Sequence, residues 1–340
     1  MKICKKIIAM AVTVAMLLVC FGIAAEATPS YPAVPEGYSG FVTVAFEASS
    51  IGWGYIVEPT LVPYIEGETV AQVSVRLLNS LDIDYLGGEP TEGFYLTGIA
   101  CDEVENGVEP AVPAYLMDQI EAYPAWAEEN LGYVAGEWTG AENGNGYLGE
   151  FDYTTLAGWM IADNDVATPV GAGAWAVQQG HSYRWMFSIY GYGMDVGLGD
   201  GWGMFPEFDN PVTGISRSDA VTAYSQIAAN DEYAAAIAEG GRANVEFTAF
   251  KTALEDLTSS QQTIDDALHA LLAALDDGGA VLGDVDGDGR VSVSDALSIL
   301  RHAMGVQLLD QSVQTLADVN GDGVISATDA VIALRIAMDI

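Results

Sequence analysis

Two stretches near the end of the chain carry carboxylates and hydroxyls at a spacing that suits a hard divalent cation. The first runs Asp284-Val-Asp-Gly-Asp-Gly-Arg-Val-Ser-Val-Ser-Asp295, and the second, thirty-four positions later, runs Asp318-Val-Asn-Gly-Asp-Gly-Val-Ile-Ser-Ala-Thr-Asp329. Over twenty-two positions aligned from Asp284 and Asp318, twelve residues are identical. Calcium takes six to eight oxygens, and a twelve-residue loop supplies them from positions 1, 3, 5, 7, 9 and 12. In the first copy those positions hold Asp284, Asp286, Asp288, the Arg290 carbonyl, Ser292 and Asp295. In the second they hold Asp318, Asn320, Asp322, the Val324 carbonyl, Ser326 and Asp329. Gly289 and Gly323 fall at position 6, where the loop turns sharply and a side chain would obstruct it. An acidic, glycine-rich surface turn has no reason to repeat every ligand position, so the pattern implies two bound calcium ions.

Something must hold these loops. Leu297, Ile299, Leu300 and Ala303 form an apolar stripe after the first loop, and Val331, Leu334 and Ile336 form one after the second. The segments before the loops, Asp276-Asp-Gly-Gly and Gln314-Thr-Leu-Ala, are too short or broken for an entering helix. The unit is therefore loop then helix, written twice, with Asp at position 12 where the EF-hand pattern carries Glu. The shorter carboxylate requires its helix to sit closer to the ion.

This arrangement, over residues 283–340, resembles the dockerin family. The resemblance implies an all-α module of paired calcium loop-helix segments that binds a cohesin domain on a scaffold protein. It further implies partner contacts from loop positions 10 and 11 and from helix positions 17 and 18. Those are Val293, Ser294, Leu300 and Arg301 in one copy and Ala327, Thr328, Leu334 and Arg335 in the other. Leu at position 17 departs from the basic or polar residue of well-known members, so the resemblance carries no cohesin specificity.

The other end of the chain reads as an export signal over residues 1–27. Lys2, Lys5 and Lys6 precede an apolar run from Ile7 to Val19, then small residues through Ala24-Ala25-Glu26-Ala27. Such a run is short for a permanent membrane anchor, so the expected mature protein is secreted, free or held at a cell surface through a scaffold, with no membrane insertion. The chain carries 11 basic and 48 acidic residues, a formal net charge of −37. An acidic surface repels nucleic acid and anionic lipid and suits divalent cations, neutral glycans and basic partners. Of the Cys residues, only Cys101 lies beyond the signal segment, which leaves no internal disulfide and reads as a buried structural thiol.

The region 38–215 is strand-rich with one clear helix. Val42, Val44 and Phe46 alternate with Thr43, Ala45 and Glu47 as in a half-buried strand. Thr69-Val-Ala-Gln72 reads as a capping box opening a helix whose Val70, Val73, Leu77, Leu78 and Leu81 share a face. Tyr183, Trp185, Phe187 and Ile189 alternate again after the Gln179-Gly180 turn. Strand, hairpin, capped helix and further strands point to an α+β, β-grasp-like domain. Gly93-Phe-Tyr-Leu-Thr-Gly-Ile, Gly158-Trp-Met-Ile, Val170-Gly-Ala-Gly-Ala-Trp175 and Gly180-His-Ser-Tyr-Arg-Trp185 together make it similar to the transcobalamin-like C-terminal domain of secreted bacterial proteins. Residues 109–150 read as an insertion into that pattern.

No catalytic motif is identifiable here. His181, His269 and His302 are scattered, no Gly-x-Ser-x-Gly or phosphate loop is present, and forty-odd acids single out no catalytic pair. Trp126, Trp138 and Trp202 could form a sugar-binding platform, while Trp159, Trp175 and Trp185 read as core. Residues 218–278 read as a helical hairpin spacer, with stripes Phe247, Phe250, Leu254, Leu257 and Ile264, Leu268, Leu271, Leu272, Leu275. The favoured function is a secreted, non-catalytic component of a cellulosome-like complex. It docks to a cohesin and presents the middle domain to a glycan or other small ligand. The alternative, a polysaccharide-degrading enzyme with an unrecognised active site, stays open at this point.

Overall fold

The computed structural model describes residues 29–140, 146–168, 170–199, 204–206, 210–276, 281–286, 291–310 and 313–338. The expected signal segment lies outside them. Ten strands are described: β1 (Gly40–Glu47), β2 (Tyr55–Tyr64), β3 (Tyr85–Leu86), β4 (Gly98–Ala100), β5 (Trp138–Gly140), β6 (Tyr147–Gly149), β7 (Tyr153–Thr154), β8 (Gly158–Asp163), β9 (Val166–Ala167) and β10 (Ser182–Ser188). Five form the main sheet in the order β2-β1-β10-β8-β9. β1 and β10 run parallel from Thr43↔Ser182 to Glu47↔Met186, and the other neighbours are antiparallel.

One face of this sheet carries the main core. Helix α1 (Val70–Ser80) opens on the expected capping box, with Gln72 N donating to Thr69 Oγ1 and Thr69 N to Gln72 Oε1. Leu81 lies past its end and is 47 % exposed, off the expected stripe. Phe46, Trp159, Trp185 and Phe187 interlock beneath α1, with Phe46 stacked on Trp185 at 5.9 Å. Trp175 is only half-buried. Helix α2 (Ala114–Leu131) completes the layer by burying Leu116, Ile120, Tyr123 and Ala127. The segment expected as an insertion thus supplies part of the central core. Only four of its eighteen helical residues are buried, and Pro124 lies inside it, so its apolar periodicity is weak.

The opposite face corrects the expectation of a half-buried strand: every residue of β1 and of β10 is buried. Its cover is the segment expected as a spacer, which is four helices rather than a hairpin: α3 (Ser218–Ala228), α4 (Asp231–Ala238), α5 (Gly241–Glu255) and α6 (Gln261–Asp276). α3 lies on the sheet, where Ser225 Oγ meets Thr43 Oγ1 at 2.7 Å. α5 and α6 pack behind it through Phe250, Leu254, Ile264, Leu271 and Leu275. The polar alternation of β1 survives burial because its groups are paired. Arg184 donates to both Glu47 oxygens at 2.7 and 2.9 Å and to Asp165 at 2.6 Å. Asp165 also accepts from Ser216 Oγ, Arg217 N and Ser218 N, fastening the start of α3 to the β8–β9 turn. Burial works against the Arg184 cation, but Glu47 and Asp165 outweigh it and hold its proton more tightly than usual.

The C-terminal segment has a small core of its own. Helices α7 (Val293–Ala303) and α8 (Ala327–Ala337) meet through Ala296, Ile299, Ala330 and Ala333. Before the second loop only a single turn of helix forms, Gln314–Ala317.

Candidate metal centre and docking face

Each loop runs directly into its helix, and the last acidic residue of the loop is also the third residue of the helix. Ser292 and Ser326 are the N-caps of α7 and α8, and Asp295 and Asp329 close a capping box in each. Asp295 Oδ2 accepts from Ser292 N at 2.8 Å and Ser292 Oγ at 2.7 Å, while Oδ1 accepts from Val285 N and Asp286 N. Asp329 repeats this with Ser326 N, Ser326 Oγ and Asn320 N at 2.8, 2.9 and 3.1 Å. Neither aspartate is exposed to solvent. Burial alone raises the pKa of both carboxyls, but the hydrogen bonds from the serines and backbone amides outweigh it and hold them below the usual range. Both are therefore charged carboxylates, tied by these hydrogen bonds to the start of their helices.

In the first loop, single oxygens of Asp284, Asp286 and Asp295 all lie within 4.8 Å of one another. Calcium–oxygen distances are about 2.3–2.6 Å, so one ion can touch all three. Ser294 Oγ donates to Asp286 at 3.2 Å, holding that carboxylate at the rim. Asp288 and Arg290, also expected as ligands, lie outside the described residues, as does Gly289. The second loop winds around Asp318, whose oxygens accept from Asp322 N and Gly323 N at 3.2 and 2.8 Å. Asn320 Oδ1 accepts from Asp322 N, and Asp322 Oδ1 accepts from Val324 N, both at 2.9 Å. Gly323 takes φ +82°, as the turn at position 6 requires. Hard oxygen donors with neither sulfur nor imidazole among them suit calcium and disfavour softer metals.

The eight residues expected to meet a partner are arranged by the two helices. Ser294, Thr328, Arg301 and Arg335 are exposed, as are Val293 and Ala327, while Leu300 and Leu334 are half-buried. Between α7 and α8 lies an apolar groove of about 250 Å³, lined by Val293, Ala296, Leu297 and Leu300 from one helix and Ala327, Ala330, Val331 and Leu334 from the other. These are four pairs of repeat-equivalent positions. The groove is thus nearly symmetric about the axis relating the two copies. Leu297 and Val331, on the apolar stripes of the two helices, are 44 % and 52 % exposed.

Elsewhere, His181 Nδ1 meets Asp163 Oδ1 at 2.6 Å, and Trp175 Nε1 donates to Asp163 Oδ2 at 2.9 Å. The scattered histidines of the sequence gave no sign of this pair. Nucleophilic catalysis needs a hydroxyl or thiol in reach of such a histidine, and among the described residues none hydrogen-bonds to His181. Cys101 is buried, and burial together with Glu103 pushes its thiol up to about 12. Of the candidate sugar platform, Trp126 stacks on Tyr123 at 5.7 Å and Trp138 on Tyr153 at 5.4 Å, the two standing in different elements. Trp202 lies outside the described residues.

Comparison with known families brings one match. The model of the dockerin type I domain matches residues 282–334, which include both loops and most of both helices. Domains of that type bind calcium and dock to cohesins in cellulosome-like, extracellular assemblies. No curated protein and no solved structure matches the chain. No described helix is long and apolar enough to cross a membrane.

Proposed function

We propose that the chain is a secreted, non-catalytic component that docks through residues 283–340 to a cohesin on a scaffold and presents its α+β domain to a ligand. The observation that carries the proposal is the doubled loop-helix unit, in which a buried Asp both caps the helix and faces the loop. Two calcium ions, one per loop, bind to the twelve positions from Asp284 to Asp329 named above. The symmetric groove supports a docking role, because exposed apolar patches rimmed by polar side chains mark interaction surfaces. Leu300 and Leu334 line this groove beside exposed Arg301 and Arg335, so the partner meets leucine and arginine together.

The middle domain is read as β-grasp-like and similar to the transcobalamin-like C-terminal domain. A mixed sheet with β1 and β10 parallel at its centre and a capped helix between the hairpin and the later strands supports the β-grasp-like part of that reading, while the transcobalamin-like part rests on the sequence strings alone. A ligand-binding or adhesion role suits it better than catalysis, since the Asp163–His181 pair has no nucleophile hydrogen-bonded to it among the described residues. The deciding experiment is calorimetric titration of the full chain against a panel of cohesins, with calcium and with excess chelator. Calcium-dependent binding to at least one cohesin is expected; binding that ignores chelation would remove the calcium-organised module as the docking element.

A further inference from the structure

We infer that the cleft between Tyr95, Phe151 and Tyr192 is a binding site for a single neutral pyranose ring. The inference rests on reading the middle domain as a ligand-binding unit and names the place and the ligand class. The cleft holds about 150 Å³ and is walled by those three rings, by Trp159 and Met160, and by Glu150, Thr155 and Ser188. A cavity of roughly that volume accommodates one six-membered ring.

Backbone strain is the first reason to read the cleft as functional. Phe151 and Tyr192 have φ +68° and +51°, in a region where a bulky side chain is a rare outlier and glycine is at ease. Neither ring is hidden in the core to compensate: Phe151 is 52 % exposed and Tyr192 38 %. Tyr95, at 58 %, completes the wall. Tyr192 also packs edge-on against Phe205 at 5.7 Å, yet strained and exposed aromatic residues converge on one cleft here, and binding sites are where such strain collects.

The lining defines the ligand. Aromatic faces attract the apolar C–H face of a sugar ring and fix it with little loss of side-chain freedom. At the rim, Glu150 accepts from Tyr95 Oη at 3.0 Å and keeps acceptor capacity for ligand hydroxyls. The Ser188 hydroxyl is buried and committed within the protein, donating to Asp195 at 2.6 Å and accepting from Gly193 N at 2.8 Å, which leaves Glu150 as the group that meets ligand hydroxyls. None of the lining residues is Lys or Arg, and the chain carries a net charge of −37, so an anionic ligand is disfavoured. A small ring with one apolar face and a hydroxylated edge meets these demands.

The test uses the full chain in calcium, titrated by calorimetry with cellobiose, xylobiose and mannobiose, and with glucuronate as an anionic control. Wild type is expected to bind at least one of the neutral sugars and not glucuronate. Phe151→Gly and Tyr192→Gly each remove a ring and relieve its backbone. Each should therefore lose at least tenfold in affinity, with the melting temperature unchanged or raised. Tyr95→Ala, at an exposed position outside the left-handed region, should lose affinity as well and decides the matter should a glycine variant fail to fold. Glu150→Gln should weaken binding while the melting temperature holds. Sugar binding that survives the ring deletions would overturn the cleft yet leave the domain a sugar binder. If none of the neutral sugars binds, the cleft is overturned, and cohesin docking is untouched by either result.

Discussion

Asp295 and Asp329 each combine two roles that separate substitutions can divide. Asp295→Asn keeps one oxygen to accept the capping hydrogen bonds from Ser292, gives up those from Val285 N and Asp286 N, and removes the charge that a cation needs. Asp295→Ala removes both. Calcium affinity should fall in both variants, whereas only Ala should also lose the Asp295 half of the capping box, at about 1 kcal/mol; calorimetry and thermal melts in calcium-free buffer check this. A second carboxyl behaves in the opposite sense. Asp195 is fully buried, and burial raises its pKa from 3.8 to about 7 despite hydrogen bonds from Ser188, Ile189 and Tyr190. The folded chain therefore keeps a proton that the unfolded chain has given up, and stability is lost as pH rises from about 4 to about 7. Asp195→Asn can still accept from both amides. Measured by chemical denaturation, its stability relative to wild type should climb across that window by on the order of 4 kcal/mol, and a flat difference would remove the buried acid as its source.

Among the elements, short-range chemistry was legible and long-range cover was not. The Thr69–Gln72 capping box depends on residues three apart and is in the structure as the spacing demands; of the expected loop ligands, Asp284, Asp286 and Asp295, up to eleven apart, come together in the first loop. The burial of Thr43, Glu47 and Arg184 depends on partners 137 to 182 residues away, which no local periodicity records. The same distance explains why residues 218–238 looked like part of a spacer: α3 hides Tyr224 and Ile227 between sheet and helices, but its small Ala and Ser residues give a faint stripe. The doubling of α7 and α8 yields two predictions. Without calcium, seven carboxylates crowd the loops around a very small core. Hydrogen exchange in excess chelator should then show α7 and α8 losing protection while β1 and β10 keep theirs. For docking, Ser294→Asp with Arg301→Ala should leave much of the cohesin affinity if the second face substitutes. Adding Thr328→Asp and Arg335→Ala should abolish it, each lost charge-assisted contact costing about 1.5–3 kcal/mol. Titration of both sets checks this, and complete loss from the first pair alone would mean that one face is used.

Across the whole molecule, the buried guanidinium of Arg184 joins the layers. Arg184 and Glu47 are each about 4 % exposed, and Asp165 links them to the start of α3. Arg184→Met leaves Glu47 buried and unpaired, so denaturant unfolding should show a loss of about 3–5 kcal/mol. The main sheet has a further consequence when the chain is pulled. β1 and β10 are parallel neighbours in register over Thr43–Glu47 and Ser182–Met186. A load applied between the segment before β1 and a C-terminus held by a scaffold drags these two strands past one another along their length. Their ladder then resists in shear, all rungs sharing the force, instead of opening one rung at a time. Under the proposed docking and ligand-binding roles, this pairing is what would resist such a load, and β1, sealed between two helical layers, is the strand that would bear the tension.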